Sequence, residues 1–91
     1  MLQEVKDYLK ITWDDEDATL TSIIQRGQAY LNDLTGTELD FSDGQAKSLL
    51  LDYCRYMYNN ASEYFESNFQ NEILRLQLKV AADELAQAAE V

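Results

Sequence analysis

The sequence predicts an all-α fold, a small bundle of about four helices around one central apolar helix. Three observations lead there. Between Gln45 and Phe65, the residues Ala46, Leu49, Leu50, Tyr53, Cys54, Met57, Ala61, Tyr64 and Phe65 recur at spacings of three and four, which is one face of a helix. Leu51, Tyr56 and Tyr58 widen that face until only Ser48, Asp52, Arg55 and Asn59 form a polar edge. A helix apolar around most of its girth belongs where neighbours touch it on several sides. The 91 residues also contain no proline and only 3 glycines, too little punctuation for a β-rich or loop-rich fold. Finally, 46% hydrophobic and 26% charged residues suit one core under a charged exterior.

The expected helices span approximately 2–10, 15–35, 44–66 and 69–88, within a single domain covering 1–91. In the first, Leu2, Val5 and Leu9, with Tyr8 beside them, make a short amphipathic face that only packing can hold helical. Thr12 to Asp17 then reads as a turn into a helix start. Thr12 or Asp14 is placed to cap free amides, and the acids sit at the positive end of the dipole. The second helix carries Leu20, Ile23, Ile24, Tyr30, Leu31 and Leu34, with Gly27 inside the same stripe. A glycine there costs about 1 kcal/mol relative to alanine, so Gly27 marks a close crossing with another helix. Thr35-Gly36 ends the element, glycine supplying the left-handed cap.

Residues 37–43 form an acidic connection anchored by Leu39 and Phe41, which either tuck under the bundle or face a partner, and Ser42 or Asp43 then caps the central helix. The phase of Ala61, Tyr64 and Phe65 carries that helix past Asn59 and Asn60. In the last quarter, Phe69, Ile73, Leu76 and Val80 fit a helical stripe, while Leu74 to Val80 also alternates as a partly extended, half-buried strand does. Leucine's helix preference and the lack of a partner strand favour helix.

Charge narrows the function. Asp and Glu number 17 against 7 Lys and Arg, a net charge of -10. The cations are scattered from Lys6 to Lys79, so no phosphate-neutralising surface forms, and repulsion of DNA is the natural property of such a chain. There is no histidine, one cysteine and no glycine-rich phosphate loop, which removes the usual bases, metal ligands and nucleotide cradles. A calcium loop begun at Asp14 would need glycine and glutamate where Thr19 and Gln25 stand. Neither an enzyme nor a cofactor or metal site is expected. Cys54, on the apolar stripe, is expected to be a buried thiol. No leader and no run of apolar residues long enough to span a membrane is visible, so the chain is expected in a reducing cytoplasm without membrane contact.

Tyrosine is over-supplied at 6 residues, and Tyr53, Tyr56, Tyr58 and Tyr64 cannot share one helical face. A ring with a polar tip suits an interface. Leu39, Phe41, Tyr56, Tyr58 and Phe69 are therefore the candidate contacts to another subunit or partner.

The N-terminal pattern is more specific. Met1 to Ile11, the acids Asp14-Asp15-Glu16-Asp17, and an amphipathic helix closing in Ala29-Tyr30-Leu31-Asn32 and Thr35-Gly36 resemble the head-tail connector (adaptor) proteins of tailed bacteriophages and prophages. The Leu49-Leu50-Leu51 to Tyr58 helix matches more loosely. The resemblance implies a virion protein at the head-tail junction, assembled in the bacterial host cytoplasm as a dodecameric homo-oligomeric ring beneath the portal. Its implied partners are further copies of itself, the portal protein, and a tail-completion or stopper protein, with DNA passing through the channel unbound. The competing reading is an acidic DNA mimic that inhibits a DNA-binding protein.

Overall fold

In the computed structural model, which describes residues 1–89, the chain is helical throughout. The elements are α1 (Leu2–Leu9), α2 (Asp17–Thr35), α3 (Gly44–Tyr58), a 3-10 turn (Ser62–Tyr64), α4 (Phe65–Asn68) and α5 (Gln70–Ala89). No strand occurs among the described residues. Leu74 to Val80 lies inside α5, so its alternation places leucines on two opposite sides of one helix.

α1 buries Val5 completely and ends at Lys10, whose left-handed φ of 61° lets the amide of Ile11 reach back to the Lys6 carbonyl at 2.8 Å. The buried Ile11 then fixes the turn. Lys6 is itself nearly buried, its Nζ 2.6 Å from Asp14 Oδ1 and 2.9 Å from Asp17 Oδ1. This corrects the expected role of the acidic run. Neither Thr12 nor Asp14 caps α2, which has no side-chain cap, because Asp14 and Asp17 are drawn to the Lys6 ammonium instead. The start of α3 also lacks a side-chain cap. Neither Ser42 nor Asp43 supplies one, and Asp40 accepts the Ser42 amide at 2.9 Å inside the loop.

α2 closes as its sequence predicts, on Gly36 at φ 72°, whose amide donates to the Asn32 carbonyl at 2.8 Å. α3, by contrast, stops eight residues short of the expected end at 66, at Tyr58. Asn60 adopts φ 56°, a conformation asparagine tolerates, and the Asn59 side-chain amide donates to the Arg55 carbonyl at 2.8 Å. The chain therefore turns, and Phe65 returns to the core through α4 rather than along α3. Tyr64, phased for burial by an unbroken helix, is left exposed.

The core joins Leu20, Ile24 and Leu31 of α2 to Leu49, Leu50 and Cys54 of α3, with Ile73 and Leu76 of α5 closing one side. Beside it lies an aromatic cluster. Tyr30 stacks on Tyr53 at 5.6 Å between centroids, Tyr53 meets Phe65 edge-on at 5.5 Å, and Phe65 stacks on Phe69 at 5.0 Å. α5 is tied in early by Gln77, which donates to the Leu34 carbonyl at 2.9 Å, and leaves the bundle after Val80. Every side chain from Ala81 to Ala88 is exposed, and the molecule measures 49 × 25 × 17 Å.

α2 and α3 cross at Gly27. A Cβ built there would lie 2.6 Å from Tyr53 Cδ1 and 2.7 Å from Leu50 Cδ1, well inside van der Waals contact. The Tyr53 ring is held by Tyr30 and Phe65, so admitting the Cβ means shifting the aromatic cluster. Gly27→Ala gains helix propensity but overpacks the crossing, which costs ~1–3 kcal/mol, so the expected outcome is net destabilisation by about 1 kcal/mol. Gly27→Leu is expected to cost several-fold more. Urea melts followed by circular dichroism check both; a stabilised Gly27→Ala variant refutes the crossing as the reason for glycine.

Candidate functional site

The candidate interface residues fall on two sides of the bundle. Leu39 and Phe41 tuck partly onto the core from the α2–α3 loop, where the Leu39 amide donates to Asn32 Oδ1 at 2.9 Å. Tyr56 and Phe69 come together elsewhere, rings edge-on at 5.4 Å, each half-buried. The Tyr56 hydroxyl accepts from Asn68 Nδ2 at 3.0 Å, and the Arg55 guanidinium sits 5.2 Å over its ring. Tyr58 is half-buried, and its hydroxyl donates to Glu16 Oε2 at 2.6 Å, joining the end of α3 to the start of α2. Tyr8 makes the corresponding bond to Asp52, joining α1 to α3. Two of the tyrosines thus have internal roles, their phenols donating to the carboxylates of Asp52 and Glu16.

Other apolar surface escaped the sequence reading. Leu74, Leu78 and Leu85 of α5 are 52%, 62% and 72% exposed, far more than any candidate above. Positions i, i+4 and i+11 share one helix face, and Ala81 and Ala82 fill the interval. The visible signal was the same alternation that suggested a strand. In a helix, Leu76 points inward while Leu74 and Leu78 point away from the core.

Two shallow grooves meet beside this face. The larger, about 600 Å³, has Leu34, Ile73 and Leu74 on its floor and Glu63 and Glu66 at its rim. The smaller, about 240 Å³, shares Glu63 and Glu66 and is walled by Tyr30, Tyr53 and Phe65. Such grooves suit a protein surface rather than a substrate. Among the described residues, no three His, Cys, Asp or Glu side chains come together as metal ligands would. Burial pushes the Cys54 thiol up to about 11, so it carries almost no thiolate at neutral pH. Among the described residues, no helix is long and apolar enough to cross a membrane.

A family model described as phage gp6-like head-tail connector protein matches residues 1–89. The chain belongs to the phage gp6-like head-tail connector family. No curated protein and no solved structure matches it. The connector match extends well past the N-terminal third that carries the resemblance in the sequence and takes in the α5 helix with its exposed leucines. This family is structural rather than enzymatic, and it places the protein in the phage particle at the connection of head and tail, in an assembly with portal and tail proteins.

The Tyr58–Glu16 bond gives the connector fold a pH signature. Its hydrogen bond to the Glu16 carboxylate, followed by burial and the nearby negative charge, raises the Tyr58 phenol above its ordinary value of 10.0. The folded chain therefore holds this proton more tightly than the unfolded chain. Its stabilisation is complete below the ordinary value and fades as pH rises through the raised one. Tyr58→Phe is expected to lower the urea midpoint at neutral pH and to make its decline above pH ~10 shallower. Midpoints measured across that range check it; an unchanged slope in alkali would refute the assignment.

Proposed function

We propose that the protein is one subunit of a ring seated beneath the portal, where it extends the DNA channel and joins head to tail. The observation that carries this reading is the connector family match across residues 1–89. The ring is a homo-oligomer, dodecameric in the virion and assembled in the host cytoplasm, and it receives a tail-completion or stopper protein on the side away from the portal. Composition supports the channel role. With 17 acidic residues against 7 basic ones, a lumen lined by carboxylates repels phosphate over ~8 Å at physiological salt, so duplex DNA slides through without specific binding. The half-covered surfaces of Tyr56, Tyr58 and Phe69, and of Leu39 and Phe41, offer apolar area to neighbouring proteins. Burial of such area between subunits adds stability that one small core lacks.

The DNA-mimic reading is the weaker one, because many carboxylates are already engaged within the chain. Asp14 and Asp17 hold Lys6, Glu4 holds Lys47, Asp52 holds Arg55, and Glu16 accepts from Tyr58. A phosphate mimic needs its acids free and ordered along one face.

Electron microscopy of the protein mixed with the portal protein of the same phage tests the ring. A second ring stacked on the portal, with an open centre, is the expected image. Absence from the portal, together with a one-to-one complex with a soluble DNA-binding enzyme, would overturn the reading in favour of mimicry.

A further inference from the structure

α5 presents two unlike surfaces. Along one side runs a ridge of Leu78 and Leu85 flanked by Arg75 and Lys79, all exposed. Among the described residues neither cation lies within ion-pair distance of a carboxylate, whereas Lys6, Lys47 and Arg55 each have a partner. Glu72 and Asp83 stand further round the helix toward the bundle, where Lys79 also borders a recess with Asp40, Asp43 and Asp83, so on that flank Arg75 and Lys79 separate these acids from the leucines. Through Leu74 the opposite flank of the same leucine stripe borders the groove of Leu34, Ile73 and Leu74 rimmed by Glu63 and Glu66. The same two carboxylates also guard the recess walled by Tyr30, Tyr53 and Phe65. An acidic rim over aromatic faces is a receptor for a guanidinium or ammonium carried on an apolar stem.

The two surfaces cannot meet within one molecule. Gln77 lines the groove and Arg75 lies on the ridge, two residues apart and therefore ~200° apart around the helix. Leu78 and Leu85, by contrast, lie within ~40° of Leu74, so cations and groove occupy the two flanks of one exposed leucine stripe. A contact in which one flank of a subunit meets the unlike flank of the next is head-to-tail, the arrangement that closes into rings.

We propose that the occupant of the groove is a second copy of this chain: Arg75, Leu78 and Lys79 of one subunit seat against Glu63, Glu66 and Leu74 of the next. This rests on the ring reading above and assigns the contact that reading leaves open. Leucine supplies the buried area, and the charge pairs fix direction and register between copies that otherwise repel one another at a net charge of -10 each.

Charge reversal tests it on the full-length chain mixed with the portal protein of the same phage, with rings counted by electron microscopy. R75E/K79E and E63K/E66K are each expected to lower ring occupancy by about tenfold or more, since each sets like charges face to face. The quadruple variant, with both edges reversed, is expected to recover assembly. An equimolar mixture of the two double variants is expected to recover it as well, because alternating subunits pair correctly. Native helical circular dichroism of each variant excludes misfolding as the cause. Normal rings from both double variants, or a natively folded quadruple variant that stays unassembled, would overturn this contact alone. A wild-type chain that forms no ring on the portal would overturn the ring reading and the contact with it.

Discussion

Where α2 passes over α3, the space that a side chain at position 27 would need is filled by the Tyr53 ring and the Leu50 methyl. Much else follows from that approach. With the two helices this close, Leu20, Ile24 and Leu31 on one side interleave with Leu49, Leu50 and Cys54 on the other, forming the dry centre of the molecule. The same approach lays Tyr53 under Tyr30 and against Phe65, so the aromatic cluster is an extension of the crossing. Phe65 in turn stacks on Phe69 and fixes where α4 ends and α5 begins. The direction in which α5 leaves the bundle, and hence the position of its exposed leucines, is set at the far end of this chain of rings.

Around that centre several polar groups tie one element to another. A short α1 could not hold itself helical, and it is held by Val5 beneath and by Lys6 reaching Asp14 and Asp17 at the start of α2. Asp14 and Asp17 favour the ammonium and, with the Lys6 carbon stem buried, shield it from water; the result raises the lysine pKa rather than lowering it as burial alone would. Tyr8 with Asp52 and Tyr58 with Glu16 repeat the device with phenols as donors. An acidic chain thus places part of its negative charge in internal bonds between elements. The carboxylates left on the outside act on whatever passes nearby.

How much of this was legible in the sequence differs from element to element. The helical class, the central position of α3, the left-handed cap at Gly36 and the stripe through Gly27 are statements about periodicity and single-residue stereochemistry, which local sequence carries. The interruption at Asn59-Asn60 was visible as a pair of turn formers, but the helical phase of Ala61, Tyr64 and Phe65 argued against it. Phase alone cannot tell a helix that continues from one that turns and presents the same residue to the core by another route. The caps were misread for a different reason. An acid before a helix can satisfy an amide or a cation, and the choice depended on Lys6, eight residues from Asp14 in sequence. Of the interface candidates, Tyr56 and Tyr58 were chosen as rings in excess of what a core could hold, and Leu39 and Phe41 as apolar residues in an acidic connection. Folding gave Tyr56 and Tyr58 internal partners, and the least covered leucines lie on α5.

In the proposed assembly, the exposed half of α5 is where one subunit would meet the next. From Ala81 to Ala89 the helix runs about 13 Å beyond the bundle, and a segment of that length is marginal in water without packing. Helix is nonetheless the conformation its alanines prefer, and the first half, clamped by Ile73, Leu76 and Gln77, provides the nucleus from which it propagates. A preformed helix loses little entropy when a partner closes on it, so its leucines are available for association at less cost than those of a disordered tail. Opposing this is the mutual repulsion of strongly acidic copies. Two chains of the same sign associate only where apolar area and local cations outweigh the long-range term, and α5 is where this chain places exposed leucines and unpaired cations side by side. Screening shortens the repulsion to ~8 Å at physiological salt but leaves buried apolar contact intact. In the ring proposed above, this balance is what would hold dilute copies apart and let them join once a platform brings them within reach.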